Sequence, residues 1–203
     1  MKKPLLLLLL IPALAAVAVP ARILLHSEVF KVDTKASKIE WTGEKITGKH
    51  TGTVAISSGE VVNNHGKIGG KFVMDMTSMA VTDLTGEKKG KLEGHLKSDD
   101  FFGVQKFPTS TFDIISVTPK SGVTAGSPNF DVKGNLTIKG ITKEINFPAM
   151  IKFEGGKMTT EGELKVDRSK FDVRYGSKSF FEDIGDKAIY DEFILKLNVV
   201  ANI

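Results

Sequence analysis

The stretch that decides the fold runs Phe130-Asp131-Val132-Lys133-Gly134-Asn135-Leu136-Thr137-Ile138-Lys139-Gly140, and its pattern resumes at Ile141, Ile145 and Phe147. Phe130, Val132, Gly134, Leu136 and Ile138 fall on every second position, with Asp131, Lys133, Asn135 and Thr137 between them. A period of two belongs to a β-strand with one dry face and one wet face. Lys139-Gly140 can turn the chain, and Gly155-Gly156 offers a two-residue hairpin loop. Such a loop pairs Phe153 with Met158, Ile151 with Thr160, Ala149 with Gly162, Phe147 with Leu164 and Ile145 with Val166. On the other face it sets Glu154 against Lys157 and Asn146 against Lys165. One face is apolar, the other polar, and Glu154 meets an opposite charge, so the register agrees with itself.

The same alternation extends in both directions. A first strand opens at Phe30, and Ile39 and Trp41 share a face in the next segment. His50, Gly52, Val54 and Ile56 follow, then the turn signal Asn63-Asn64-His65-Gly66, then Ile68, Gly70, Phe72, Met74 and Met76. From Asp83 to Phe102 the alternation stops, and Leu92 and Leu96 stand four apart among charges. This spacing predicts a short helix near Lys91–Lys97. Pro108 restarts the chain, with Phe112 and Ile114 on one face, and Pro119–Pro128 reads as a loop. Asp167–Asp186 is irregular and rich in aromatics, and Phe193, Leu195, Leu197 and Val199 face inward on a last strand.

The expected fold is all-β: a single extended antiparallel barrel of about eight strands with one short helix, spanning residues 30–203. Eight strands enclose a bore just wide enough for packed side chains or one small ligand. A β-sandwich is the competing arrangement. Inward glycines (Gly52, Gly70, Gly134, Gly162) allow bending or leave room, which favours the barrel.

Composition narrows the function. Of the 203 residues 41% are apolar and 26% charged, an ordinary globular balance. Lys and Arg number 28 against 24 Asp and Glu; without Lys2 and Lys3 the counts are 26 and 24, a net charge of +2. Charge that small and scattered argues against a nucleic-acid partner. Residues 1–21 read as a signal peptide: Lys2-Lys3, the apolar run Leu5–Val19, then alanines, with Ala18 or Ala21 as the cleavage point. Residues 22–29 would form a leader, and export would place the protein in the periplasm. An uncleaved membrane anchor is the alternative, because Ile23-Leu24-Leu25 prolongs the apolar stretch. The chain has no cysteine, which excludes a disulfide framework, thiolate metal sites and thiol catalysis.

Three stretches carry a family resemblance. Gly94-His95-Leu96-Lys97-Ser98-Asp99-Asp100-Phe101-Phe102 with Phe107-Pro108-Thr109-Ser110-Thr111-Phe112 resembles the central signature of YceI-like proteins. Gly134-Asn135-Leu136-Thr137-Ile138-Lys139-Gly140-Ile141-Thr142-Lys143 resembles their second signature, and Asp167-Arg168-Ser169-Lys170-Phe171 a late motif. The resemblance covers about Phe30 to Ile203. It implies a lipocalin-like barrel whose apolar channel holds a polyisoprenoid or related lipid, in exported bacterial proteins. Trp41-Thr42-Gly43, Met74-Asp75-Met76 and Arg174-Tyr175-Gly176-Ser177 depart from the shorter polyisoprenoid-binding members.

The residues themselves offer little for catalysis, and the chain is expected not to be an enzyme. His26, His50, His65 and His95 show no metal-ligand spacing, so neither a metal nor another cofactor is expected. His95 is expected to tie the helix to the barrel by a hydrogen bond, Asp99-Asp100 to be a solvated helix end, and Asp167-Arg168 an ion pair or turn element. The inward faces instead mix methionine, flat rings and glycine, which suits a long and shape-tolerant apolar ligand. The expected channel lining is Trp41, Phe72, Met74, Phe112, Ile114, Val132, Leu136, Phe147, Leu164, Phe193 and Leu197, with His50, Phe101, Phe102 and Lys143 at a mouth or gate. Lys143 lies opposite Leu136 if Lys139-Gly140 is a tight turn, and would snorkel toward a head group; a longer turn would aim it at solvent. The expected function is a carrier or reservoir for a polyisoprenoid, an isoprenoid quinone or a fatty amide. It is compatible with transient membrane contact and with a monomer or homodimer. A non-catalytic structural or stress-related adaptor with a filled barrel is the alternative.

Overall fold

Nine strands form one antiparallel sheet among the described residues, 27–182 and 185–203 of a computed structural model. The predicted signal peptide and His26 lie outside the described residues. In chain order the strands are β1 (Glu28–Val32), β2 (Lys38–Lys45), β3 (Gly48–Asn64), β4 (Lys67–Val81), β5 (Thr109–Pro119), β6 (Phe130–Ile138), β7 (Ile141–Glu154), β8 (Lys157–Asp167) and β9 (Ile189–Asn202). One helix, α1 (Gly86–Lys97), follows β4. The pairing order β3-β2-β9-β8-β7-β6-β5-β4 closes through a β3–β4 ladder, so eight strands make a closed barrel.

The ninth strand, β1, shares the stave of β2. Glu28–Lys31 pair with Asn63–Glu60 of β3, whereas Ile39–Lys45 of β2 pair with Val54–Gly48 farther along it. The Asp33 carboxylate stabilises the turn between them by accepting the N–H groups of Lys35 and Ala36, and the Ser37 hydroxyl donates to Val200 O. Among the described residues, strand structure thus begins at Glu28 and takes in the last two residues of the segment assigned to a leader.

Three hairpins turn on two residues with positive φ at both: His65-Gly66, Lys139-Gly140 and Gly155-Gly156. Such turns match the right-handed twist of paired strands. The β7–β8 register is the expected one from Ala149–Gly162 to Glu154–Lys157, and there it stops. The pairs Phe147–Leu164 and Ile145–Val166 are not part of the ladder. Pro148 accounts for this. Asn129 N–H donates to Ala149 O and Ile151 N–H to Asn129 Oδ1, so Ala149 and Ile151 turn their main-chain groups toward β6. The alternate residue Pro148 then faces β8, where it has no N–H to give.

Thr85 is the N-cap of α1, and the helix starts earlier than Lys91; its first half is polar and carries no apolar signal in the sequence. Glu93 holds the helix to the end of β4 by accepting the Val81 N–H at 2.8 Å. Two apolar clusters result. The larger fills the barrel around Phe30, Val61, Met158, Val199 and Ala201. The smaller joins α1 to the wall through Met76, Met79, Val81, Leu96, Phe101, Val104 and Val173, and it caps the opposite end.

Arg168 organises that cap. It sits in the 3-10 turn Arg168–Phe171 and is 2% exposed. Its guanidinium donates to Val173 O and Tyr175 O at 2.8 Å, Ile189 O at 3.0 Å and Tyr190 O at 3.2 Å. Asp191 Oδ1 lies 3.3 Å away, and the cation stands 5.4 Å from the Phe101 ring centre. Burial pushes its pKa down, with Asp191 and Asp167 opposing the shift. A guanidinium starts so high that it stays charged. Asp167 is a turn element, accepting the Ser169 N–H and hydroxyl. Four guanidinium hydrogen bonds therefore splice the end of β8 to the start of β9.

Two predictions follow from these contacts. Arg168→Met leaves four carbonyls without their donor and Asp191 without its counter-ion; it should lower unfolding free energy by about 3–5 kcal/mol in urea, with Arg168→Lys recovering only part because it lacks the planar fork. Gly52→Ala places a Cβ against Ala80 O and the Trp41 ring; it should cost about 1–3 kcal/mol. Gly43→Ala, where nothing lies within 4 Å, should cost less.

Candidate functional site: an apolar channel

The barrel is hollow in its middle. On β9, Phe193, Leu195 and Leu197 face inward yet keep accessible surface, whereas Val199 and Ala201 on the same face are buried. Side chains meet at the Ala201 end and fail to meet at the Leu195 level. The space between them is a cavity of about 200 Å³. Its lining runs on β9 from Ile189 to Val199, roughly 33 Å along a strand and about 25 Å along the axis of a barrel tilted by about 40°.

All eleven side chains expected to line a channel do so: Trp41, Phe72, Met74, Phe112, Ile114, Val132, Leu136, Phe147, Leu164, Phe193 and Leu197. Alternation was sufficient signal, because a closed antiparallel wall sends every second residue inward. Polar groups are scarce. Ser110 has its hydroxyl committed to Thr137 O at 2.7 Å, and Arg168 its guanidinium to carbonyls. Thr160 and Tyr190 also reach the lining.

The inward glycines serve the rings. A Cβ at Gly52 would collide with the Trp41 indole, and one at Gly134 with the Phe112 ring. Each ring occupies the space that a side chain on the neighbouring strand would otherwise take. Phe112 in turn meets Phe147 with ring centres 5.8 Å apart. Gly70 differs: a side chain there would strike Glu60 O, so close backbone approach requires it.

At the capped end, Phe101 and Phe102 line the cavity and pack on each other at 5.1 Å. Met76 and Met79 also line it; Met79 was missed because an irregular segment after Asp75 breaks the period. Ser78 reaches back across that bulge, accepting the Ala55 N–H at 2.8 Å. His50 stands outside the main cavity, on a small adjoining hollow, with Nδ1 2.8 Å from Asp83 Oδ2. Burial raises the Asp83 pKa, but the Thr51 N–H and the His50 ring outweigh it and hold the carboxyl below its usual value.

Lys143 corrects an expectation. Lys139-Gly140 does form the tight turn and Leu136 does pair with Lys143, but the side chain is exposed and lines no cavity. Lys143 lies in the part of β7 that has lost β8 beyond Pro148, and its ammonium stays hydrated at that gap. His95 also departs from expectation. Its Nε2 is buried without a hydrogen-bond partner among the described residues, and its ring packs edge-on to Tyr175 at 4.3 Å and Phe101 at 5.6 Å. Asp99 is exposed and pairs with Lys106 at 2.6 Å, and His65 sits in its turn. Among the described residues no three His, Cys, Asp or Glu side chains gather as a metal site would need.

Comparison with known proteins agrees with this geometry. The model of the YceI-like domain matches residues 30–201. A UPF0312 protein of Azotobacter vinelandii is 38% identical over 61 residues, 30% of this chain and 29% of the relative. One from Staphylococcus aureus is 34% identical over 90 residues, 44% and 46% of the two chains. The chain thus matches less than half the length of these curated relatives. Among solved structures, Burkholderia cenocepacia BcnA superposes with a TM-score of 0.66 at 24% identity, covering 84% of this chain and 99% of the other. A polyisoprenoid binding domain from Saccharophagus degradans gives 0.59 at 13% identity, with 85% and 97% covered. These likenesses extend to the fold, and the domain match over nearly the whole described barrel places the chain in the YceI-like family.

Proposed function

We propose that this protein is an exported carrier or reservoir that holds one long-chain apolar lipid in its barrel. The observation that carries the reading is the hollow stretch of wall whose inward side chains are apolar and partly uncovered. A filled adaptor barrel would bury them. The length supports a long chain: about 25 Å exceeds the roughly 15 Å that one leaflet of a ~30 Å hydrocarbon core spans. Each methylene moved from water into the channel contributes about 0.8 kcal/mol, so many together offset an association cost of about 4–15 kcal/mol. The Saccharophagus degradans neighbour is described as a polyisoprenoid binding domain, which supports a prenyl chain as cargo. Isoprenoid quinones and fatty amides share the needed shape. The role is passive, with no catalytic step: the Phe101-Phe102 pair bounds one end of the channel, and a tail slides along the apolar wall. Periplasmic location after cleavage of residues 1–21 belongs to the same proposal, resting on the Lys2-Lys3 start and the alanine-rich end of the apolar run.

Protein purified from its native host without detergent should yield a long-chain lipid on organic extraction, near one per chain by mass spectrometry. Leu197→Trp, which fills the bore, should cut that yield at least fivefold while the protein stays folded by circular dichroism. Clean extracts from the unaltered protein, with no saturable uptake of a prenyl alcohol, would contradict the carrier reading. Native N-terminal sequencing should begin between Val19 and Leu24; a chain starting at Met1 in the membrane fraction would instead support the anchor.

A further inference from the structure

One seam of the barrel wall is only half joined. β7 pairs with β6 from Ile141 to Ala149, and β8 pairs with β9 from Lys157 to Asp167, neither with a shift of register. Between them, β7 and β8 pair only from Glu154–Lys157 to Ala149–Gly162. Both strands run on past that point, β7 back to Ile141 and β8 forward to Asp167, with no ladder joining them. The stretch Glu163–Asp167, at about 3.4 Å per residue, makes the unjoined seam roughly 17 Å long. Ala149 and Ile151 direct their main-chain groups at β6, so alternation sends those of Thr142, Glu144 and Asn146 toward β8, where none has a ladder partner.

The seam borders the channel. Ile145 and Phe147 line the cavity from β7, and Leu164 lines it from β8. The residues between them, Glu144, Asn146, Glu163 and Lys165, are exposed. Parting the strands here would join solvent to the cavity without breaking a ladder hydrogen bond. The two ends of the barrel are packed, one by Phe30, Val61, Met158 and Ala201 and the other by the α1 cluster. An unpaired edge is also a template for a strand of another chain. Lys143, a charge at inward parity, and Pro148, which has no N–H, both oppose that use. An apolar chain needs neither bond.

The 3-10 turn Arg168–Phe171 leaves β8 and packs against β7. Phe171 is buried and belongs to the barrel cluster. Asp172 O accepts from Lys139 Nζ at 2.7 Å, which ties the turn to the β6–β7 hairpin. We infer that a lipid chain enters and leaves the barrel sideways, between β7 and β8, with Phe171 as the stopper and the Lys139–Asp172 hydrogen bond as its catch. The inference rests on the carrier reading and supplies its route.

The chain has no cysteine, so a pair introduced across the seam is unique. Asn146→Cys/Lys165→Cys, in the full mature protein stripped of lipid, is bridged with a short reducible bis-maleimide and the bridge confirmed by mass. Uptake and release of parinaric acid, a fluorescent long-chain fatty acid, are followed by stopped flow. Bridging should slow both rates about tenfold and leave Kd within about twofold, because a blocked path changes rates and not the equilibrium between its ends. Reduction should restore both rates. The control pair Glu161→Cys/Asn198→Cys lies across the joined β8–β9 seam, and bridging it should change neither rate. Phe171→Ala should speed uptake about threefold or more, and Phe171→Leu serves if the alanine variant does not fold by circular dichroism. Unchanged rates in the bridged seam variant, or equal slowing in the control, would overturn the sideways route and leave the carrier intact, with entry at an end. Uptake unmoved by shortening Phe171 would remove it as the stopper. Failure of the unaltered protein to take up parinaric acid or geranylgeraniol would overturn the carrier reading and this inference together.

Discussion

The rest of the structure depends on a mismatch of volume: eight strands wrap around more space than their inward side chains fill. The mismatch is graded along the barrel. At one end Phe30, Val61, Met158 and Ala201 meet and pack, and farther up Phe193, Leu195 and Leu197 face a gap. At about 24 cal/mol per Å³, an empty cavity of about 200 Å³ forgoes on the order of 5 kcal/mol of packing. That is comparable to the whole stability of many domains. At two places glycine makes room for a ring: Trp41 and Phe112 occupy the space that a side chain at Gly52 or Gly134 would take.

The two ends answer different needs. The packed end is stabilised by β1 and β2 sharing one stave and by the Phe30–Phe153 ring contact at 5.3 Å. The capped end is a separate small core, joined to the wall by Glu93 and by the buried Arg168 guanidinium. Pro148 interrupts the β7–β8 ladder toward the same end. The buried Arg168 network and the interruption of the β7–β8 ladder therefore lie toward the same, capped end.

Most of the wall was legible in the sequence because strand periodicity is local and the hairpin loops set register arithmetically. Phe153–Met158 and Leu136–Lys143 pair as the two-residue turns require. What failed to show depends on contacts distant along the chain. Pro148 signals a lost N–H, but which neighbour loses the bond depends on the side it faces. The first half of α1 has no apolar face, and its place is set by Glu93 reaching Val81. Asp167-Arg168 read as an ion pair or turn element, since no local pattern tells that four carbonyls from two later segments converge on Arg168. Lys143 had the right parity and the wrong surroundings.

The central claim is that the bore is a ligand site and not merely loose packing. The most direct measurement is the thermal unfolding of lipid-stripped protein across a titration of geranylgeraniol. A chain that binds the folded barrel alone stabilises it by about 2.7 kcal/mol at a hundredfold excess over Kd, and about 1 kcal/mol moves Tm by roughly 2–4 °C for a domain of this size. The account predicts a saturable rise of about 5–10 °C that Leu197→Trp abolishes. A Tm unchanged at every concentration, with the stripped protein already as stable as protein purified with its native contents, would contradict it.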